Sequence, residues 1–177
     1  ILFAQTENAA IRLLHFSDYQ GYIYRASSTL EAEYHHEISE YSMDTLFDGD
    51  IYTGWSEGSS GAGVGVVLWL EVPKGANTLI LKNGFCRTQE LFKKNNRIKS
   101  MEITLWSGLL PAGMVTEYGP LYGITPVSDP ITVNVQDSMQ LQYIELGFDY
   151  DQAEKQQYEC MELYSDFAST EDLPPTV

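Results

Sequence analysis

Apolar residues in this chain come in short runs, each cut off by Gly, Pro, Asn or Asp, and that punctuation constrains the fold more than any other feature. Met101-Glu102-Ile103-Thr104-Leu105 alternates apolar and polar side chains, and Ile131-Thr132-Val133-Asn134-Val135 repeats the pattern. A period of two sends successive side chains to opposite faces, one toward a core and one toward solvent, which describes a half-buried strand. Residues 65–72, Gly-Val-Val-Leu-Trp-Leu-Glu-Val, are nearly continuous in apolar character and read as a strand covered on both faces. Further strands are expected over 22–28, 78–83, 142–148 and 158–164. Helical spacing is scarce. About eight short strands with no long amphipathic helices between them predict an all-β fold, a jelly-roll antiparallel β-sandwich. The exception is a short helical or looped excursion near 31–47, where Tyr34, Ile38, Tyr41, Thr45 and Leu46 recur. The expected organisation is one sandwich domain over 1–168, followed by a solvated tail or linker over 169–177.

A chain of 177 residues is long enough for one such core. Its formal net charge of −15 repels phosphate backbones and anionic headgroups, so nucleic acid is a poor partner, while cations and neutral ligands are easier ones. No run of about 18 apolar residues exists to cross a membrane as a helix. Leu2-Phe3-Ala4 fits the end of a secretory leader, and the expected location is extracytoplasmic: secreted, periplasmic or at the cell surface. Cys86 and Cys160 lack C-x-x-C spacing, which excludes a zinc ribbon; one disulfide and two buried thiols remain open as alternatives.

The charges are segregated along the chain. No Lys or Arg occurs between Ala26 and Pro73, a stretch that holds Glu31, Glu33, Glu37, Glu40, Asp44, Asp48, Asp50, Glu57 and Glu71. Six of the ten basic residues crowd into Lys82, Arg87, Lys93, Lys94, Arg97 and Lys99. Within the acidic stretch, Phe47-Asp48-Gly49-Asp50-Ile51-Tyr52-Thr53 offers several oxygens on one tight loop, the ligand type that hard cations such as calcium take. The EF-hand spacing is missing, and Asp-Gly also forms ordinary turns on its own chemistry.

Sugar sites combine an aromatic ring with planar polar groups that reach the hydroxyls. Asn83, Arg87, Asn95, Asn96 and Arg97 form the best local constellation, with Phe85 and Phe92 between them. Tyr52, Tyr118 and Tyr122 fall in expected loops and are the stacking candidates, whereas Trp55 and Trp69 are expected in packing roles. His35 and His36 beside Glu33, Glu37 and Glu40 lack the H-E-x-x-H spacing of a zinc site, and no G-x-S-x-G elbow marks a hydrolase.

The order of the motifs adds a resemblance. Ala26-Ser27-Ser28, then Asp48-Gly49-Asp50 with Thr53-Gly54-Trp55-Ser56-Glu57-Gly58, then Gly63-Val64-Gly65 leading into Leu68-Trp69-Leu70, resembles the discoidin, or factor V/VIII type C, family. With Asn83-Gly84-Phe85, Asn95-Asn96-Arg97-Ile98-Lys99 and Met161-Glu162-Leu163-Tyr164, the chain is similar to the glycan-binding translocation domain of bacterial NAD glycohydrolase toxins. The resemblance implies a galactose-binding-like sandwich that binds carbohydrate through loops at one end, without catalysis. It also implies a structural calcium held by Asp48, Asp50, Thr53 and Glu162. Residues 108–129 depart from the family's shorter connection and are expected to form an inserted loop. The reading that follows is a non-catalytic, extracytoplasmic bacterial glycan-binding module serving attachment or targeting. The alternative is a protein-interaction domain that uses the same loops to hold a toxin or surface partner.

Overall fold

The structure, a computed structural model, describes residues 11–30, 41–50, 52–110, 115–117 and 119–169. Its elements run in chain order as β1 (Arg12–His15), β2 (Ser17–Tyr19), β3 (Tyr22–Ala26), a 3-10 turn (Met43–Leu46), β4 (Leu68–Leu70), β5 (Thr78–Leu81), α1 (Gln89–Lys94), β6 (Ser100–Ile103), β7 (Trp106–Leu109), β8 (Val115–Thr116), β9 (Gly119–Pro126), β10 (Ile131–Asn134), β11 (Gln142–Glu145) and α2 (Tyr150–Ser169). Strand β9 lies between β1 and β7 and also carries β8; β3 lies between β2 and β4; β11 pairs with β5 and β10 with β6. Every ladder whose register is described is antiparallel, as the alternating segments require. The chain clusters into two compact units, one drawn from within Ile1–Phe16, Glu102–Ile131 and Gly147–Val177, the other from Ser17–Met101 and Thr132–Leu146.

In the first unit β9 is the central strand. It pairs from Leu121 to Ile124 with β1 and from Gly123 to Pro126 with β7. Leu121, Ile124, Thr125 and, just beyond the strand, Val127 are among the most buried residues of the chain. The expected inserted loop over 108–129 is therefore corrected: its Gly and Pro residues do not prevent pairing, and its centre is core. The prolines sit near the two ends of β9, where a missing N–H costs the ladder least. Gly119 has φ +107, and a Cβ there would lie 2.5 Å from the Phe16 carbonyl oxygen, so only glycine lets β9 start this close to the end of β1.

The second correction in this unit is α2. A closing strand over 158–164 is expected from its Tyr and Leu, yet the segment is helical from Tyr150 to Ser169. The physical reason is local. Ala153, Glu154, Lys155, Gln156, Gln157, Met161 and Leu163 are strong helix formers. Asp149 starts the helix, its Oδ1 accepting from the Gln152 N–H at 2.9 Å and its carbonyl from the Ala153 N–H at 3.0 Å. Ala153 is buried, and α2 packs against β7. The expected tail over 169–177 lies outside the described residues apart from Ser169, the last residue of α2. Among the described residues, no helix is long and apolar enough to cross a membrane.

In the second unit, two of the sequence motifs are laced together. The Ser27 N–H donates to the Val67 carbonyl, the Val67 N–H to Ser27 Oγ, the Ser28 hydroxyl to the Glu57 carbonyl and the Leu30 N–H to the Ser56 carbonyl. Trp55 Nε1 donates to Thr29 Oγ1 at 3.1 Å, so the half-buried indole spends its polar handle inside the unit. The expected double cover of 65–72 is corrected: the paired part shrinks to β4, an outer strand of its three-stranded sheet, and Val64, Val67, Leu70 and Val72 remain exposed because, among the described residues, no packed layer covers them. Of the expected excursion over 31–47, residues 31–40 lie outside the described ones, and the remainder holds the 3-10 turn.

That turn is docked by aromatics. Phe47 stacks on Tyr22 with ring centroids 4.5 Å apart and tilts against Tyr24 at 5.6 Å, while the Tyr24 hydroxyl donates to Asp44 Oδ1. Burial pushes the Asp44 carboxyl above its ordinary value. A raised folded pKa means that the fold favours the protonated group, so this contribution to stability is fully present at pH below the ordinary carboxylate value and is lost as pH rises through the folded value. Asp44→Asn keeps an acceptor for Tyr24 and removes the charge. Urea denaturation between about pH 4 and pH 7 is therefore expected to show a flatter profile for Asp44→Asn than for wild type, with stability at neutral pH equal or greater. Asp44→Ala strands the hydroxyl of the buried Tyr24 and is expected to cost about 1–3 kcal/mol. Parallel pH profiles for wild type and Asp44→Asn would contradict the assignment.

Candidate functional site

The Asp-Gly-Asp loop is ordered by its own hydrogen bonds. Asp48 Oδ1 accepts from the Asp50 N–H at 2.7 Å, and Asp48 Oδ2 accepts from the Thr53 hydroxyl at 2.7 Å. Asp50 Oδ1 accepts from the Tyr52 N–H at 2.8 Å, and the Asp50 carbonyl lies 3.2 Å from Thr53 Oγ1. Consecutive Asx turns of this kind are the chemistry that makes Asp and Gly favour turns. Gly49, at φ +72, supplies the left-handed residue between the two carboxylates. The structure thus brings Asp48, Asp50 and Thr53 together. Glu162 lies in α2 rather than on the expected strand, in the other compact unit. Among the described residues, no three His, Cys, Asp or Glu side chains gather closely enough to hold a metal ion. The donor set on the loop is of the hard-cation type, two carboxylates and a hydroxyl, and completing it takes backbone carbonyls.

The same loop presents Tyr52. Tyr52 is 54% exposed, and the Arg87 guanidinium stands over its ring 5.6 Å from the centroid. Tyr52 and Arg87 are 35 positions apart in sequence, and the fold joins them into one exposed planar pair. Thr88, next to Arg87, caps α1 by accepting from the Leu91 N–H, which fixes the connection that carries the arginine.

Asn83 does something else. It is 0% exposed, the most thoroughly buried polar side chain described. Its Nδ2 donates to the Ile98 carbonyl at 2.9 Å and the Gln136 carbonyl at 3.1 Å, and its Oδ1 accepts from the Ile98 N–H at 2.8 Å. An amide with its donors and acceptor spent inside the protein has nothing left for a ligand, so the expected sugar-contacting role of Asn83 is corrected to that of a structural crosslink. Cys86 lies over it, a buried free thiol whose Sγ is 3.4 Å from the Asn83 carbonyl oxygen. Burial pushes the Cys86 thiol up, with nearby Lys82 acting weakly in the opposite direction.

Arg97 is also largely committed. Its Nε donates to Asp137 Oδ1 at 2.5 Å, and its NH1 to the Phe92 and Asn95 carbonyls at 2.5 and 2.7 Å. The guanidinium lies 4.6 Å from the centre of the buried Phe92 ring. Asn95 ends α1, its side chain donating to the Leu91 carbonyl at 2.8 Å. Around these two residues opens a groove of about 520 Å³ lined by Lys93, Lys94, Asn96, Ile98, Lys99 and Val135 in addition to Asn95, Arg97 and Asp137.

Tyr122 does not lie in a loop. It is half-buried in β9, edge-on to Phe16 at 5.4 Å between centroids, and belongs to packing in the first unit. Tyr118, His35 and His36 fall outside the described residues. Neither the Asn83 crosslink nor the groove was expected as such. The sequence around the first is apolar, since Asn83-Gly84 closes an apolar strand and is followed by Phe85 and Cys86.

An antiparallel all-β chain whose Ala-Ser-Ser segment is hydrogen-bonded to a Thr-Gly-Trp-Ser-Glu-Gly segment, beside a self-closed Asp-Gly-Asp turn, falls in the class of F5/8 type C domains, the antiparallel β-sandwich class. The NAD glycohydrolase translocation F5/8 type C domain family matches residues 18–166, and the chain belongs to that family. The match runs from β2 into α2. No curated protein and no solved structure shows significant similarity to the chain.

Asn83→Ala removes the crosslink and takes from Ile98 the amide that meets its N–H and carbonyl, while the Gln136 carbonyl keeps the Ser138 N–H and Gln142 Nε2. Thermal or urea unfolding is expected to show a loss of about 2–4 kcal/mol, against a change within about 0.5 kcal/mol for Arg87→Ala on the surface. Equal, small effects of the two would return Asn83 to the list of ligand contacts.

Proposed function

We propose that this domain is a non-catalytic, extracytoplasmic glycan-binding module that serves a bacterial NAD glycohydrolase toxin during attachment or translocation. Membership of the translocation family supports the setting. The observation that carries sugar binding is the Tyr52–Arg87 pair: a tyrosine more than half exposed, with a planar donor over one side of its ring, on a loop held by its own hydrogen bonds. Preorganisation of that kind lowers the entropy cost of binding, and ring stacking with hydrogen bonds to hydroxyls suits a saccharide. The test is a glycan array with the purified domain, repeated with Tyr52→Ala. The variant is expected to fold as wild type and to lose binding by about tenfold, the loss of roughly 1.4 kcal/mol of stacking and desolvation. A domain that binds no saccharide on the array would overturn the reading.

The proposal includes a structural calcium at Asp48, Asp50 and Thr53. What supports it is the type and convergence of the three loop oxygens. When bound, the ion would neutralise the two carboxylates and stiffen the loop beneath Tyr52. Differential scanning calorimetry with excess calcium and with chelator is expected to show a higher Tm in calcium for wild type and no difference for Asp48→Ala. An identical Tm in both solutions for wild type would mean that the loop is held by its hydrogen bonds alone.

A second reading, a protein-interaction domain, is favoured by one observation. On the β5–β11 ladder, Ile80 and Tyr143 are directly opposed and are 59% and 67% exposed. Retention of one stoichiometric protein on the immobilised domain, undisplaced by any sugar, is the result that favours it.

A further inference from the structure

The groove beside α1 concentrates positive charge on a chain that is otherwise strongly acidic. Its rim carries Lys93 and Lys94 from the last turn of α1 and Lys99 from the approach to β6, all exposed. The only carboxylate among its lining residues is Asp137, and that charge is already met by the Arg97 guanidinium at 2.5 Å. Three ammonium groups are therefore left as the local surplus, against a formal charge of −15 for the whole chain. Between them lie the exposed amides of Asn95 and Asn96, each donating one N–H to a backbone carbonyl and keeping its oxygen and second N–H at the surface, and the aliphatic side chains of Ile98 and Val135. Ammonium groups for anions, amides for hydroxyls and a small apolar floor for C–H faces are the complementary set for a charged sugar. The groove is also fixed in shape, since Arg97 ties the end of α1 to Asp137 and Asn83 ties the chain at Ile98 to Gln136.

We infer that this groove is a binding site for acidic saccharides, carrying sulfate or carboxylate groups, and that Lys93, Lys94 and Lys99 select for the negative charge. The inference rests on the glycan-binding reading above but uses a different surface from Tyr52 and Arg87. The acidic remainder of the chain repels polyanions, so an acidic glycan is steered to this basic window rather than held nonspecifically.

The experiment compares wild type with the triple variant Lys93→Gln, Lys94→Gln, Lys99→Gln on surfaces carrying a sulfated oligosaccharide, a sialylated oligosaccharide, a neutral oligosaccharide and polyglutamate. All three lysines are exposed, so the variant is expected to keep the wild-type Tm, which is checked first. Wild type is expected to bind the acidic oligosaccharides more weakly as salt is raised. The variant is expected to lose that binding by ~10-fold or more, from three charge contacts each worth a few-fold, and to keep any binding of the neutral one. Binding of neutral but not acidic sugars by wild type overturns this inference and leaves the glycan-binding reading standing. No binding of any sugar overturns both. Polyglutamate binding as tight as that of the acidic sugars, and equally sensitive to the triple substitution, assigns the groove to an acidic protein segment instead. Acidic-sugar binding undiminished in the triple variant removes the lysines from the site.

Discussion

The candidate surfaces of the second unit depend on the amide of Asn83. A single side chain with 0% exposure holds three points of the chain: its own position after β5, Ile98 before β6 and Gln136 after β10. None of these three places is inside a regular ladder, and the buried amide joins them by spending both its donors and its acceptor on the backbone of Ile98 and Gln136. Arg97 extends the same logic outward: its guanidinium meets two carbonyls around the end of α1 and one carboxylate from the far side. One buried neutral crosslink and one half-exposed charged clamp thus shape the loop region that carries Arg87 on one side and the lysine groove on the other.

Two residues that a composition-based reading treats as ligand contacts, Asn83 and Arg97, therefore serve mainly to hold the residues that remain free to act. The distinction is physical. Planar polar groups bind sugars and close loops with the same hydrogen bonds, and only burial tells which use is made of them. Asn83 is enclosed and Arg87 is exposed, although they are four positions apart. The aspartates of the Asp-Gly-Asp turn occupy an intermediate position, since their oxygens already accept hydrogen bonds yet lie at the surface, where further donors or a cation can reach them.

The antiparallel strand content was legible because it depends on a local period. The alternating segments beginning at Met101 and Ile131 became β6 and β10, and the runs at Tyr22, Thr78 and Gln142 became β3, β5 and β11, each a residue or more shorter than the apolar run that announced it. The family was legible because its short motifs keep their order, and the structure gives the reason that the Ala-Ser-Ser and Thr-Gly-Trp-Ser-Glu-Gly pieces occur together: they are hydrogen-bonded to each other. What could not be read was decided by competition between local signals. In α2, helix propensity and the Asp149 cap outweighed the Tyr and Leu that suggest a strand. In β9, Gly and Pro looked like loop punctuation although the prolines stand near the strand ends and Gly119 answers a close approach of backbone. The Tyr52–Arg87 pair was legible as two residues but not as a contact, because nothing local in the sequence joins a turn at 48–53 to a connection at 84–88.

Cys86 carries a consequence of the crosslink that concerns time rather than shape. Its thiol is buried against the Asn83 carbonyl, and burial pushes its pKa above the ordinary cysteine value. A thiol reagent reaches the buried Cys86 when the segment around Asn83 opens to water. The residue is therefore a native clock for that opening: the rate at which it can be alkylated reports how often the crosslink lets go. In a domain whose family is named for translocation, the frequency of that event measures the local stability of the segment that Asn83 ties together.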